Sequence, residues 1–207
     1  MTLSATEVDH LKQAPATEEI LSVMRARWSP RSFSDREVSA ADLRKVFEAA
    51  RWAPSSYNEQ PWRFLVGRRN SETYKKIGSS LGEFNQLWAL SASILILGAT
   101  RKHFGHNDKP NGYAVFDLGA ASGFITLQAA ALGIATHQMA GFDKDIARKA
   151  FQIPDEFELG SVMAMGYQGE PSALSHEQMR AQETSPRARK PLAEIVLSAW
   201  GEPAKLS

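Results

Sequence analysis

The sequence predicts a single α/β domain, and three observations predict it. Short apolar runs such as "RFLVG", "SASILILGAT" and "GSVMAMGYQG" alternate with stretches of helical period. Taken alone, that alternation points to a parallel sheet with helices on its faces. The length of 207 residues suits one domain and is enough to bury a sizeable core. Finally, Ala114–Leu132 carries one charge, Asp117, and predicts a helix buried on most sides.

The elements follow in order. Residues 1–16 read as an arm ending near Pro15. Thr17 is placed to cap a helix to about Trp28. Its apolar face, Ile20, Val23 and Met24, continues into Arg27. A charge at the end of a buried stripe needs a partner: it forms a salt bridge, snorkels to the surface, or faces an internal anion. Ser39, with Asp42 three residues on, has capping-box spacing and opens a helix with core face Leu43, Val46, Phe47 and Ala50. Pro54 stops it. The loop "APSSYNEQPW", Ala53 to Trp62, holds two serines, an asparagine and a glutamine between two prolines, too many hydrogen-bonding groups for filler.

Residues 63–67 form a strand. A helix over 71–90 turns Tyr74, Ile77 and Leu81 inward, and a buried strand ends near Thr100. "RKHFGHNDKPNG", residues 101–112, is Gly/Pro-punctuated and reads as a mobile lid or a plain surface loop. Its His103 and His106 read as exposed loop histidines, with H-x-x-H metal binding the weaker alternative. In the long helix, Gly119 and Gly123 have the spacing that lets another backbone come close, and Gly133 stops the helix. "IATHQMAGF" is strand-like, Asp143 caps a helix to about Phe151, and "GSVMAMGYQG" is a strand. Glu170–Ser185 is irregular or briefly helical. "PRARKPLAEIV" gives a basic cluster, a proline and an extended apolar tail.

Composition removes several functions. A formal net charge of +1 gives no general pull toward nucleic acid or anionic membrane. The absence of cysteine excludes a disulfide scaffold, a thiolate metal site and a cysteine nucleophile, and fits a reducing, cytoplasmic setting. The N-terminus has no signal-peptide core. Ala114–Leu132 approaches a membrane span in length, but Asp117, Ser122, Thr126 and Gln128 argue against lipid and for protein around it. No nucleophile elbow, phosphate loop or dinucleotide fingerprint is present. With no acid, base, nucleophile or metal set selected by spacing, the chemistry points to a bound cofactor. Two arginine-rich points, "RARWSPRSF" and "RARK", offer planar donor forks suited to phosphate.

Four segments then resemble the nitroreductase family of FMN-dependent oxidoreductases: "RWSPRSF", "EAARWAPSSYNEQPWRFLV", "AAALGIATHQMAGFD" and "RARKPLAEIV", in the family's order from about Glu19 to Val196. The resemblance implies a different fold from the periodicity: an α+β three-layer sandwich, a mixed central sheet between helices, in an intertwined homodimer. It implies one FMN-binding domain over 17–200, with 186–207 as a C-terminal arm and 101–113 kept as a lid candidate. Carried over, Arg27, Trp28 and Ser29 match phosphate and ribityl contacts, with Trp28 standing where the family often has a second arginine. Arg31 matches a basic residue serving either the phosphate or, as a charge stabiliser, the reduced ring. Ser55, Ser56 and Asn58 match the loop that reaches FMN from the partner subunit, and Gln60 a ring or structural contact. Ala140 and Gly141 match the backbone facing flavin N5; Ala140 replaces an acidic or polar residue of some members. Arg187 and Arg189 match a C-terminal phosphate clamp, and Phe104 and Tyr113 are lid candidates for substrate. The implied activity is ping-pong hydride transfer from NADH or NADPH through FMN to a small nitroaromatic, quinone or similar acceptor. An oxygen-using or dehalogenating relative, a flavin sensor without turnover, and a structural dimer binding nothing are the alternatives.

Overall fold

The computed structural model describes residues 3–206, so the first two residues of the N-terminal arm and the last of the C-terminal arm lie outside it. Four strands form the sheet: β1 (Trp62–Arg68), β2 (Ile94–Arg101), β3 (Ala135–Met139) and β4 (Phe157–Gly166), in the order β1-β2-β4-β3. All three pairings are antiparallel. This corrects the parallel sheet that the alternation suggested, and within the described chain the sheet is not mixed. Periodicity sees that a helix follows a strand, not which neighbour the next strand takes. Here β4 inserts between β2 and β3 and reverses each pairing.

β2 is buried along nearly its whole length, so both of its faces need cover. Ile94 and Ile96 point to one side and Leu95, Leu97 and Ala99 to the other. On the first side lie α3 (Ala40–Arg51) and α6 (Ala114–Ala131), bringing Leu43, Val46, Leu118, Ala121 and Ile125. On the second lie α4 (Glu72–Ser80), α5 (Glu83–Ala89), α7 (Lys144–Phe151) and α8 (Glu177–Glu183), bringing Ile77, Trp88, Ala147 and Met179. The result is the three-layer α+β arrangement that the resemblance implies. Two caps form as their spacing predicts: Ser39 Oγ accepts the Asp42 N–H at 3.0 Å, and Asp143 Oδ1 accepts the N–H groups of Asp145 and Ile146 at 2.9 Å. Among the described residues α6 is the one helix long and apolar enough to cross a membrane, and it is packed against the sheet.

Several elements differ from expectation. Inside the arm, α1 (Ala5–Leu11) is a helix closed by a Ser4/Glu7 capping box and anchored by buried Val8. The helix expected from Thr17 shrinks to α2 (Ser22–Ala26), which buries no residue. Helices draw most of their stability from a packed face, and that of Ile20, Leu21 and Met24 stays largely exposed in the chain. The 71–90 helix is split into α4 and α5, because Leu81 turns extended and bridges to Phe142 while the Gly82 N–H reaches the Gly141 carbonyl at 3.0 Å. The tail is not simply extended: α9 (Leu192–Ile195) precedes a two-stranded ribbon, β5 (Leu197–Ala199) with β6 (Glu202–Pro203).

Gly67 shows how closely α4 lies on β1. A methyl group there would stand 2.4 Å from the Tyr74 nitrogen and 2.5 Å from its Cα. Both are helix backbone and cannot swing aside. Gly67→Ala is therefore expected to destabilise the fold by about 1–3 kcal/mol. Denaturant melts with an unchanged midpoint would refute this close approach.

Candidate functional site

The first cluster gathers at the C-terminal end of α6. Arg27 caps α2 in extended backbone, and its Nη1 donates to Ser29 Oγ at 3.3 Å. Arg187 lies across from it, donating to the carbonyls of Lys12 at 2.7 Å and Arg25 at 3.2 Å. Arg189 is near enough to act on both: burial first, then Arg189, holds Arg27 below the ordinary arginine range, and burial, Arg27 and Arg189 do the same to Arg187. None of these three guanidinium groups forms an ion pair among the described residues. Arg27 and Arg187 are partly buried, Arg189 lies exposed beside them, and their guanidinium forks have the geometry that suits an anion. Arg31 adds a fourth group over the Trp88 ring, 5.9 Å from its centroid, with Nε buried and lacking a hydrogen-bond partner. The side chain of Trp28 turns away to α1, donating to Asp9 Oδ1 at 3.2 Å beneath the Lys12 ammonium at 4.8 Å.

β3 leads away from this cluster. A cavity of about 200 Å³ joins Arg27 and Trp28 to Ala135 and Thr136 at its start. Ala140 and Gly141, both exposed, follow its end about 16 Å on. The Gly141 carbonyl is tied down by the Gly82 N–H and by Asn85 Nδ2 at 2.8 Å, and a methyl group on Gly141 would stand 2.7 Å from that amide. Between these ends His137 packs against Trp88, centroids 4.5 Å apart and rings tilted by 38°, with Nδ1 3.0 Å from the Pro30 carbonyl. Burial lowers its pKa to about 4; the Pro30 and Ser29 carbonyls oppose the shift, and Arg31 and Arg27 add to it.

The serine-rich loop lies elsewhere, at the N-terminal end of α6. The Ser56 N–H donates to Asp117 Oδ2 at 3.1 Å, Ser55 Oγ accepts the Gln60 N–H at 3.0 Å, and Gln60 Nε2 donates to the Asn58 carbonyl at 3.0 Å. The 101–113 loop packs on it. The Tyr57 and Phe104 rings meet edge to face at 5.6 Å, and Glu59 Oε1 accepts the Gly105 N–H at 2.7 Å. Tyr113 stands exposed beside Pro54 and Phe116. The 18 residues of α6 hold this group about 27 Å from the arginines. Arg27, Ser29, Arg31, Arg187, Arg189, Ala140 and Gly141 thus gather along β3, and Ser55, Ser56, Asn58, Gln60, Phe104 and Tyr113 gather at the far end.

Sequence reasoning missed the residues behind these surfaces. Glu183, 1% exposed, accepts the backbone N–H groups of Arg31 and Ser32. His137 and Trp88 wall the same turn, and Asp117 holds the serine loop. Of these, Asp117 alone carries a signal in the sequence, as the single charge of an apolar helix.

The arrangement is a three-layer α+β fold with arginines from two parts of the chain beside the start of its edge strand. The comparisons name it. The family model described as the nitroreductase family matches residues 24–87 and 80–167. A protein of Archaeoglobus fulgidus, provisionally named NADH dehydrogenase/NAD(P)H nitroreductase, is 33% identical over 154 residues, 72% of this chain and 86% of its own length. A crystal structure described as an oxidoreductase containing FMN superposes with a TM-score of 0.83 at 33% identity, covering 88% of this chain and 93% of that one. A nitroreductase family protein of Clostridium difficile superposes with a TM-score of 0.67 at 28% identity, covering 87% and 98%. The chain belongs to the nitroreductase family.

His137 supplies a pH test. Its folded pKa of about 4 lies below the ordinary value of 6.5. As pH falls, the unfolded chain takes the proton first. The stability linked to a neutral His137 is therefore complete above about pH 6.5 and is lost toward pH 4, by up to ~3 kcal/mol. Burial raises the pKa of Glu183, an effect of opposite sign. The comparison is accordingly with His137→Phe, which should lack the loss in this window. An NMR titration of His137 with a midpoint near 6.5 would contradict the assignment.

Proposed function

We propose that the chain is an FMN-dependent oxidoreductase that takes electrons from NADH or NADPH and passes them, by a ping-pong route, to nitroaromatics, quinones or similar electron-poor acceptors. One observation carries the reading: the uncompensated cluster of Arg27, Arg187 and Arg189 at the start of β3, with exposed Ala140 and Gly141 past its end. FMN, when bound, supplies the ring that receives hydride from the nicotinamide and gives up electrons to the acceptor. The chain supplies position and charge. Arg27, Arg187 and Arg189 hold the phosphate, with Ser29 beside them. Arg31, whose buried Nε has no partner among the described residues, offers its charge to the phosphate or to the polar edge of the reduced ring. Ala140 and Gly141 present backbone to the ring, held in place by Asn85.

The reading includes a homodimer. Ser55, Ser56 and Asn58 sit too far along α6 to meet a ligand at their own chain's arginines, so they serve the partner's site. The outer face of α6 supports this. Val115, Phe116 and Phe124 are exposed, and a methyl group on Gly119 or Gly123 would meet no atom within 4 Å. Such a stripe of apolar and small residues suits a second copy. Phe104 and Tyr113 travel with the serine loop and are proposed to wall the partner's acceptor site.

Purified protein should show flavin bands that bleach anaerobically with NADH or NADPH and recover on adding a nitroaromatic. Failure to bleach with either nucleotide would sink the enzyme reading. Arg27→Ala should weaken FMN by about 1.5–3 kcal/mol; a variant that stays fully yellow through dialysis removes Arg27 from the site. Gly119→Glu with Gly123→Glu should leave the subunit folded, since both positions face open space, but give a monomer that has lost FMN. Light scattering and absorbance on one sample decide this, and a yellow monomer would refute the shared site.

A further inference from the structure

Glu183 ends α8 with its side chain almost wholly buried. A carboxylate in that position is costly unless its lone pairs are filled. Main chain fills them: the Arg31 N–H reaches the two oxygens at 2.9 and 3.2 Å, and the Ser32 N–H reaches Oε1 at 3.0 Å. Successive N–H groups closing on one anion form a nest, here with a side chain as the anion. The neighbouring groups are held by weaker, neutral contacts. Ser32 Oγ donates to the Glu170 carbonyl at 2.6 Å, the Gly169 N–H to the Ser32 carbonyl at 2.9 Å, and His137 meets the Pro30 carbonyl. Lys12 lies close by, its Nζ donating to the Gln182 carbonyl at 2.8 Å.

The placement joins two parts of the chain 152 residues apart. The turn that Glu183 grips carries Arg31 and follows Arg27 and Ser29. The chain that leaves α8 after Glu183 goes on to Arg187 and Arg189. One buried carboxylate thus ties both sources of the arginine cluster to each other.

We propose that Glu183 is a positioning residue for the anion site, fixing the Arg31–Ser32 turn against α8 so that Arg27, Arg187 and Arg189 converge on one phosphate. The proposal rests on the FMN reading above. It also makes a choice of sign. A negative charge near a cationic site weakens anion binding by charge alone, so an electrostatic role predicts tighter FMN binding when the charge is removed. A positioning role predicts weaker binding when the geometry is lost.

Two conservative substitutions separate these roles. Glu183→Gln keeps an acceptor oxygen at the same reach and loses the charge. Glu183→Asp keeps the charge and withdraws the oxygens by one methylene. FMN and riboflavin, which lacks the phosphate, are titrated into the full-length apoprotein and followed by flavin fluorescence. Glu183→Asp should raise the FMN Kd about tenfold and leave the riboflavin Kd within about twofold, while Glu183→Gln keeps FMN within about threefold. Either of two results with Glu183→Asp overturns the proposal: FMN bound within twofold of the unaltered protein, or both flavins weakened in the same proportion, which a merely structural role would give. FMN bound more than threefold tighter by Glu183→Gln overturns it as well. If the unaltered protein binds neither flavin, the FMN reading itself falls; if it binds both and Glu183→Asp matches it, only the role of Glu183 falls.

Discussion

The candidate site takes its dimensions from α6, and α6 takes its place from β2. A strand buried on both faces needs helices on both sides, and α6 is the longest of those that answer. Its inner face is consumed by Leu118, Ala121, Ile125 and Ala129 against the sheet and α3. That packing makes the helix a rigid spacer between the serine loop at one end and the arginines at the other. A rod of 18 residues does not shorten. Loop movement of a few ångströms would not bring the two groups to one ligand, whereas a second copy related by a two-fold axis can present its opposite end.

Electrostatics reinforces this. The molecule keeps three guanidinium groups together at the start of β3 and commits its nearest buried carboxylate, Glu183, to backbone N–H groups instead. Burying a carboxylate on main chain fixes shape without neutralising the arginines. Had Glu183 paired with Arg27 or Arg187, the fold would gain an ion pair and lose the unpaired charge that the proposed site uses. In the proposed site, the partly buried Arg27 and Arg187 would represent stability withheld until a ligand arrives.

The legible parts of the sequence were those whose cause is local. Ser39 and Asp143 cap their helices because a side-chain oxygen two or three residues before an N–H needs no tertiary help. The strand faces of β2 follow from alternation alone. Sheet order was not legible, because β4 enters between β2 and β3 from 56 positions beyond Arg101. The split of α4 from α5 depends on Gly141, far from Gly82 in sequence, and α2 is shorter than its period predicts because Ile20 and Met24 stay exposed. In the site, arginines and serines stood out by type and clustering. Glu183 and His137 did not, since an isolated Glu or His looks solvated until the turn it grips is placed beside it.

The serine loop shows what its composition is for. Tyr57, Asn58 and Gln60 all adopt left-handed backbone, with φ of 52°, 54° and 49°. For residues other than glycine this costs roughly 1–2 kcal/mol each, with asparagine the best tolerated. The loop's hydrogen-bonding groups offset that cost locally: Ser55 Oγ ties the Gln60 N–H, Gln60 ties the Asn58 carbonyl, and buried Asp117 ties the Ser56 N–H. Pro54 and Pro61 restrict the ends, and Trp62, packed on the core side of β1, anchors the exit. Strain maintained so deliberately leaves Tyr57 83% exposed, a large ring held out of the core by a loop built to hold it there. Within one chain that exposure is uncompensated. The second copy proposed above would turn that exposure into contact and place the loop and the α6 face beside it on one surface.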